Sequence, residues 1–360
     1  MQLRRLWLTD FRSYDTAEVA FDPGLTAVLG PNGQGKTNLL EAIAYLATLS
    51  SFRGAPTDAL VRAGSDRAVV RAEAEREGRE LLIEAEISVN GRNRAQLNRQ
   101  PLRRARDLLG ALRVVVFSPD DLALVKGSPG ERRTYLDDTL VALHPRYDQA
   151  RSDLEKILRQ RAALLKQSGG RLTTEVELTL DVFDAKLVEA GEYLAKARRG
   201  LVTELEPVLA EAYRSVARVP APVSAVYDPP WMADGLAAAL LEARRDDLRR
   251  GVSTVGPHRD DLELSLNDLP ARTHASQGEQ RSLAFALRLA AHDVITRRTD
   301  TPPVLLLDDV FSELDPDRSA ALLAALPTGQ TVLTTASGMP EGAVPGLVID
   351  VSEGRATVRT

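Results

Sequence analysis

Residues 30–37 read Gly30-Pro31-Asn32-Gly33-Gln34-Gly35-Lys36-Thr37, a run that fits G-x-x-x-x-G-K-[ST]. The apolar stretch Leu25–Leu29 feeds it. Asn38–Leu49 follows with Leu39, Leu40, Ile43, Leu46 and Leu49 at helical spacing. Strand, glycine-rich loop and helix in that order commit the chain to an α/β architecture with a phosphate cradle at one strand end. The glycines let successive backbone N–H groups turn inward, at the positive end of a helix dipole. All eight residues are therefore candidate ligands of a nucleoside triphosphate. Lys36 is expected at the β- and γ-phosphates and the Thr37 hydroxyl on Mg²⁺.

A second acidic motif supports this reading. Val304–Leu307 is a buried-strand run that ends in Asp308 and Asp309. Beside a phosphate loop, Asp308 is expected to hold Mg²⁺ and Asp309 to orient or deprotonate the attacking water. Upstream, Ser276-Gln277-Gly278-Glu279 opens an amphipathic helix carrying Leu283, Phe285, Leu287 and Leu289. Ser276 and Glu279 make a capping box. That leaves Gln277 and Gly278 unexplained, and a small, donor-rich helix start is also an anion site.

Around these motifs the texture changes twice. Short strand patterns (Leu3–Leu8, Glu18–Phe21, Val69–Glu75, Leu81–Val89, Val114–Phe117) fill the first part, with Asn90-Gly91 as a hairpin signal. Residues 129–250 are long, charged and helix-forming. Val176, Leu180, Phe183, Leu187, Ala190, Leu194, Ala197 and Leu201 keep heptad spacing there, bracketed by Gly169-Gly170 and Pro207. The spacing is expected to serve a small helical bundle rather than a long coiled-coil arm. Beyond Gly251 the α/β pattern returns. The expected organisation is an ATPase domain split into 1–128 and 251–360, with a helical domain inserted at 129–250.

Composition enters where partners are concerned. The chain has 360 residues, no cysteine and a formal net charge of −5. Disulfides and thiolate chemistry are excluded, and a reducing cytoplasm is the expected compartment. No apolar run reaches the length of a membrane span. Any nucleic-acid surface must be local. One stretch qualifies: residues 90–106 carry Arg92, Arg94, Arg99, Arg103, Arg104 and Arg106 and no acid. These are the candidate DNA contacts, through the phosphate backbone of a duplex or a single-strand/double-strand junction.

Taken together, GPNGQGKTNLLEAI (Gly30–Ile43), SQGEQRSLAFALRLA (Ser276–Ala290), the LLLDD strand and the SELD loop (Ser312–Asp315) resemble an ATP-binding-cassette head of the SMC/Rad50 group. With LTDFRSYD (Leu8–Asp15), SSFRG (Ser50–Gly54) and GPHRDDL (Gly256–Leu262), the set is similar to the RecF family of bacterial DNA repair proteins. The resemblance implies a two-lobed, P-loop ATPase head that forms an ATP-dependent homodimer, with Ser276, Gln277 and Gly278 of one copy closing on the nucleotide of the other. It places Arg12 and Ser13 near the nucleotide and Asp315 in a loop that crosses the dimer. It further implies a recombination mediator that works with RecR and RecO to load RecA at single-strand gaps, with no membrane partner.

The sequence departs from the general cassette pattern in three places. Asp309 stands where Glu is usual, Thr334-Thr335-Ala336-Ser337 stands where a histidine is expected, and no glutamine follows Val114–Phe117, where Ser118, Asp120 or Asp121 are the candidates to substitute. A slow, DNA-dependent ATPase acting as a timer is the expected activity. The competing readings are a transporter ATPase subunit, disfavoured by the helical insert and the missing histidine, and a phosphotransferase, which leaves SQGEQ and SELD without a use.

Overall fold

The computed structural model describes residues 1–217 and 219–359, with Glu313 described by its backbone alone. In chain order the elements are β1 (Gln2–Phe11), β2 (Tyr14–Ala20), β3 (Leu25–Leu29), α1 (Lys36–Thr48), β4 (Arg67–Arg76), β5 (Arg79–Ser88), β6 (Arg94–Leu97), β7 (Gln100–Pro101), β8 (Val114–Phe117), α2 (Leu122–Lys126), α3 (Pro129–Leu143), α4 (Arg146–Gln167) and α5 (Thr174–Val216). They continue with β9 (Val223–Val226), α6 (Leu236–Arg250), β10 (Glu263–Leu266), β11 (Leu269–Pro270), α7 (Ala271–His274), α8 (Gln277–Thr299), β12 (Val304–Asp308), α9 (Pro316–Ala324), β13 (Thr331–Thr335), β14 (Leu347–Ser352) and β15 (Arg355–Val358). Two compact units result. One comprises Met1–Leu122, Val208–Ala221 and Ser276–Thr360; the other comprises Ala123–Pro207 and Pro222–Ala275.

The first unit carries two six-stranded sheets, ordered β2-β1-β4-β5-β6-β7 and β15-β14-β3-β13-β12-β8. The first is antiparallel. The second is parallel except for its edge strand β15. Every residue of β12 and β13 is buried, as expected of central parallel strands covered on both faces. Helix α1 packs against both sheets. Its sequence shows one apolar stripe, but Ala42, Ala44 and Tyr45 fill the opposite side and are buried as completely as Leu39, Leu40, Ile43 and Leu46. A helix apolar on all sides is a sandwiched helix, and this sandwich fixes the start of α1 and the loop before it.

The hairpin signal Asn90-Gly91 is not the tight turn of this region. The β5–β6 connection is wider, and the Asn93 side chain accepts the Ser88 N–H at 3.0 Å. The two-residue turn is Asn98-Arg99, both left-handed, between Leu97 and its partner Gln100.

The second unit is built on α3, α4, α5 as far as Pro207, and α6, with the small antiparallel sheet β11-β10-β9. The heptad leucines Leu180, Leu187, Leu194 and Leu201 are buried. Leu180 packs with Leu165 of α4 and Leu248 of α6. A second buried stripe, Asp184, Gly191 and Arg198, runs alongside and is polar. Asp184 binds Arg161 and Arg244, and Arg198 makes a two-bond pair with Asp137. Each of these buried charges has its counter-ion, the condition for tolerating them inside. At Gly191 a Cβ would stand 2.7 Å from a terminal methyl of Leu236 and 3.2 Å from the Pro257 ring, so a larger residue would displace those side chains.

Two sequence expectations change here. Pro207 does not end the heptad helix; α5 runs through it to Val216. An internal proline costs a helix about 3 kcal/mol, and buried Leu205, Val208 and Leu209 on either side supply the packing that offsets it. The 251–275 segment, assigned by sequence to the ATPase half, clusters with the helices because β10 pairs with β9. GPHRDDL therefore lies in the helical unit. There Asp261 holds Arg132 by two bonds, Asp260 accepts from Tyr227 and Trp231, and the Pro257 carbonyl accepts from Arg198.

Candidate nucleotide-binding site

The phosphate loop leaves β3 and enters α1 at Lys36. Gly35 is left-handed at φ 115°, and a Cβ there would stand 2.8 Å from Ser13 Oγ, so the loop accepts only glycine at this point. The loop is braced from two sides. Tyr14, fully buried, donates its hydroxyl to the Gly35 carbonyl at 2.9 Å. From the β14–β15 turn, the Glu353 N–H bonds the Gln34 side chain at 2.7 Å and the Gly354 N–H bonds the Gln34 carbonyl at 3.3 Å.

Lys36 Nζ donates to the carbonyls of Gly30 and Pro31 at 2.7 and 3.0 Å. Burial lowers its pKa, against the pull of Asp309 and Asp308. Asp308, at the end of β12, accepts from Thr37 Oγ1 and from Thr334 Oγ1, both at 2.8 Å on Oδ1. Burial raises the Asp308 pKa, partly offset by those two hydroxyls. Lys36 and Asp308 thus both carry a desolvation cost for their charged forms. A polyphosphate would give Lys36 its anion, and a divalent cation would give Asp308 its counter-charge. Thr37 and Asp308 present hard oxygen donors side by side, the set Mg²⁺ takes while keeping water in its shell.

Asp309 follows in a left-handed conformation, its N–H donating to Thr334 Oγ1 at 2.9 Å. Its Oδ1 is buried and has no hydrogen-bond partner. A carboxylate oxygen in that position is free to take a water.

The FRSY segment is the tip of the β1–β2 hairpin, with Phe11 paired to Tyr14 and Arg12 left-handed. Ser13 Oγ accepts from Asn38, in the first turn of α1. Arg12 makes a two-bond ion pair with buried Glu41 at 2.7 and 2.8 Å and donates to the Ala59 carbonyl. Three of its five N–H donors are thereby engaged, two of them by Glu41 in the second turn of α1. Ser51 of SSFRG also donates to Glu41 at 2.5 Å. Arg53 from the same segment lowers the Asp308 pKa through its charge.

Helix α8 begins with the capping box the sequence predicts. Ser276 Oγ accepts the Glu279 N–H at 3.3 Å, and the Ser276 N–H donates to the Glu279 carboxylate at 2.7 Å. Ser276 and Gln277 are exposed. Gly278 lies under the Arg318 guanidinium, so closely that a Cβ would stand 2.1 Å from it. Arg318 sits in the first turn of α9, which Asp315 caps by accepting the Arg318 N–H at 3.0 Å.

Of the substitutes for the missing glutamine, Asp121 is committed elsewhere. It is buried, accepts the Ser118 N–H at 2.9 Å and pairs with Arg288 of α8 at 2.5 Å. Only Asp120 of the three is exposed. The arginine-rich stretch lies at the β6–β7 edge of the antiparallel sheet. Arg92, Arg94, Arg99 and Arg103 are exposed, Arg106 is half-buried, and Arg104 pairs with Asp107, one residue beyond the acid-free run.

Sequence reasoning missed Thr334, Glu41, Arg53 and the Glu353-Gly354 brace. Glu41 left a signal, a lone acid inside an apolar helix, since a buried charge requires a partner.

The parallel sheet, the braced phosphate loop, the paired acids at the end of β12 and the capped α8 define a P-loop nucleoside triphosphatase head of the ABC type. The model for the RecF/RecN/SMC N terminal domain matches residues 2–338. A Streptomyces avermitilis protein named DNA replication and repair protein RecF is 45% identical over 372 residues, covering 98% of this chain and 99% of its own. Its namesake from Kineococcus radiotolerans is 46% identical over 370 residues, covering 95% and 94%. A solved structure of the recombination mediator RecF with ATP superposes at a TM-score of 0.91, with 28% identity and coverage of 100% and 98%. The Smc head of Pyrococcus furiosus, 18% identical, shares the fold at a TM-score of 0.59. The chain belongs to the RecF family, and its role is that of a recombination mediator in DNA repair. Among the described residues no helix is long and apolar enough to cross a membrane.

Proposed function

We propose that this chain is an ATP-gated DNA-binding switch. ATP sits on Gly30–Thr37 with Lys36 at the β- and γ-phosphates. Mg²⁺, held by Thr37 and Asp308, would neutralise phosphate charge. Asp309 orients the attacking water. The catalytic geometry is completed by a second copy, whose Ser276, Gln277 and Gly278 close on the γ-phosphate, while Asp315 lies at the same junction.

The observation that carries the reading is the exposed start of α8. The capping box engages the N–H groups of Ser276 and Glu279, while those of Gln277 and Gly278 belong to the first turn and have no intrahelical acceptor; Ser276 and Gln277 are exposed. A long helix offering free donors at its positive end suits a phosphate that its own chain does not supply. With Asp309 one methylene shorter than the usual glutamate, hydrolysis is slow and times the release of the dimer. The solved RecF with ATP belongs to a RecFOR pathway; by that kinship RecO and RecR are the proposed partners and DNA the proposed substrate, met by the β6–β7 edge.

Sedimentation with and without ATP tests the proposal. The parent should be monomeric alone and dimeric with ATP. Lys36→Ala should lose ATP binding and dimerisation together. Asp309→Asn should keep both and abolish hydrolysis. A parent that stays monomeric at saturating ATP would overturn the two-copy site.

A further inference from the structure

The fold brings together aromatic side chains that lie far apart in sequence. Tyr147, in the first turn of α4, and Tyr193, on α5, stack with ring centroids 5.7 Å apart and planes at 25°. The Arg146 guanidinium lies 5.1 Å from the centre of the Tyr147 ring and donates to the Tyr147 hydroxyl at 3.2 Å, which braces the pair. Tyr193 remains 43% exposed. It lines a groove between α4 and α5, with Arg146, Lys156 and Lys186 also on its walls and Ala150 and Ala190 among its small floor residues. Lys156 and Lys186 are exposed and have no ion-pair partner among the described residues. Two acids, Asp153 and Glu189, face the three cations in the groove, so its charge balance is positive by one; Asp153 accepts from the Gln149 amide at 2.8 Å.

We propose that this groove binds single-stranded DNA, an unpaired base stacking on Tyr193 while Lys156 and Lys186 meet the flanking phosphates; the proposal rests on the DNA-binding reading above. A preformed Tyr147–Tyr193 stack is extended at little entropic cost by one more flat ring, and every base has such a face. Arg146 and Lys156 are ten residues apart on one helix, about 15 Å along its axis, a spacing that follows a strand rather than a single small anion. The opposite case stands on the same unit. The groove beside Trp231 is walled by Asp234, Glu242 and Glu263, none of them ion-paired among the described residues, and repels a polyanion. Arginine outnumbers lysine 40 to 6 in this chain, yet two of the six lysines line the Tyr193 groove.

The test uses the full chain with fluorescein-labelled oligothymidylate and, separately, a duplex of the same length, read by anisotropy. Tyr193→Ala should weaken oligothymidylate binding about tenfold and leave duplex and ATP binding unchanged. Tyr193→Trp should bind like the parent and show indole quenching on binding, which separates stacking from loss of fold. Lys156→Gln with Lys186→Gln should reduce the log–log salt slope by about 1.4 for a single strand. Equal oligothymidylate affinity in Tyr193→Ala and the parent would overturn the proposal and leave the groove to a protein helix. A parent that binds duplex but not oligothymidylate would overturn it while sparing the DNA-binding reading. A parent that binds neither would overturn both.

Discussion

Thr37 and Thr334 donate to the same atom, Oδ1 of Asp308, each at 2.8 Å. One hydroxyl comes from the first turn of α1 and the other from the neighbouring strand β13, so the carboxylate is held from two elements at once. Thr334 also receives the Asp309 N–H. It therefore sets the geometry of both acids, in the segment where a cassette would place its histidine.

Thr334→Val removes a donor to Asp308 and strands a backbone N–H, an unsatisfied group worth about 1–3 kcal/mol. The Thr334 hydrogen bond lowers the Asp308 pKa; without it the carboxyl holds its proton to higher pH and competes with Mg²⁺. Calorimetry should show Mg–ATP binding weakened more at pH 6 than at pH 8, with Thr334→Ser close to the parent. A Thr334→Val protein that binds equally well at both pH values would show that Thr37 alone is sufficient.

Ser276→Asp looks conservative for an N-cap, since aspartate caps as well as serine. The structure adds a complication. Ser276 Oγ also donates to the Glu279 carboxylate at 2.7 Å, and aspartate would set two carboxylates together there. Ser276→Asp alone is expected to lower stability by about 1 kcal/mol or more. Adding Glu279→Gln restores a legitimate capping box. The double variant should melt like the parent, bind ATP and stay monomeric in sedimentation, because its carboxylate opposes the partner's γ-phosphate. Dimerisation of that variant with ATP would reduce Ser276 to a helix cap.

At the β6–β7 edge, changing Arg92, Arg94, Arg99 and Arg103 to glutamine leaves the Arg104–Asp107 pair intact. Duplex binding should weaken, with the log–log salt slope falling by as much as about 0.9 per lost phosphate contact. ATP affinity should not move. An unchanged slope would make this edge an ordinary solvated surface.

His292 in α8 is buried against the Pro303 carbonyl, 3.0 Å from Nε2, and burial lowers its pKa from 6.5 to about 4. Between those values the unfolded chain binds a proton that the folded chain refuses. Its contribution is therefore fully present above pH 6.5 and is lost as the pH falls toward 4, on the order of 3 kcal/mol in all. His292→Gln keeps a donor for Pro303 and removes the titration. Urea unfolding at pH 7.5 and pH 5 should show a smaller acid loss in the variant, by about 2 kcal/mol. Parallel losses in the two proteins would rule His292 out.

Contiguous features were readable without coordinates. The phosphate loop, the capped start of α8 and the Asp308-Asp309 pair each reside in a short segment whose chemistry is local. Residues that act through the fold were not. Glu41 acquires its meaning from Arg12 and Ser51, which reach it from the β1–β2 hairpin and the loop after α1. Thr334 matters because β13 lies between β3 and β12. Tyr147 and Tyr193 were invisible as a pair because helical packing alone brings them together. The Pro207 expectation failed for a related reason: local propensity disfavours proline in a helix, and tertiary packing on both sides outweighs it.

The strand that carries the phosphate loop is flanked by β13 and β14, both drawn from the last tenth of the chain. Gln34 meets its brace 319 residues downstream. Contacts so distant in sequence form slowly and late. During synthesis the whole GPNGQGKT octapeptide emerges within the first forty residues and then waits, its apolar strand without neighbours, while the helical unit is made and folds. Nucleotide binding is thus among the last properties this protein acquires, and a chain interrupted before Thr331 would carry the whole octapeptide with neither strand that flanks it.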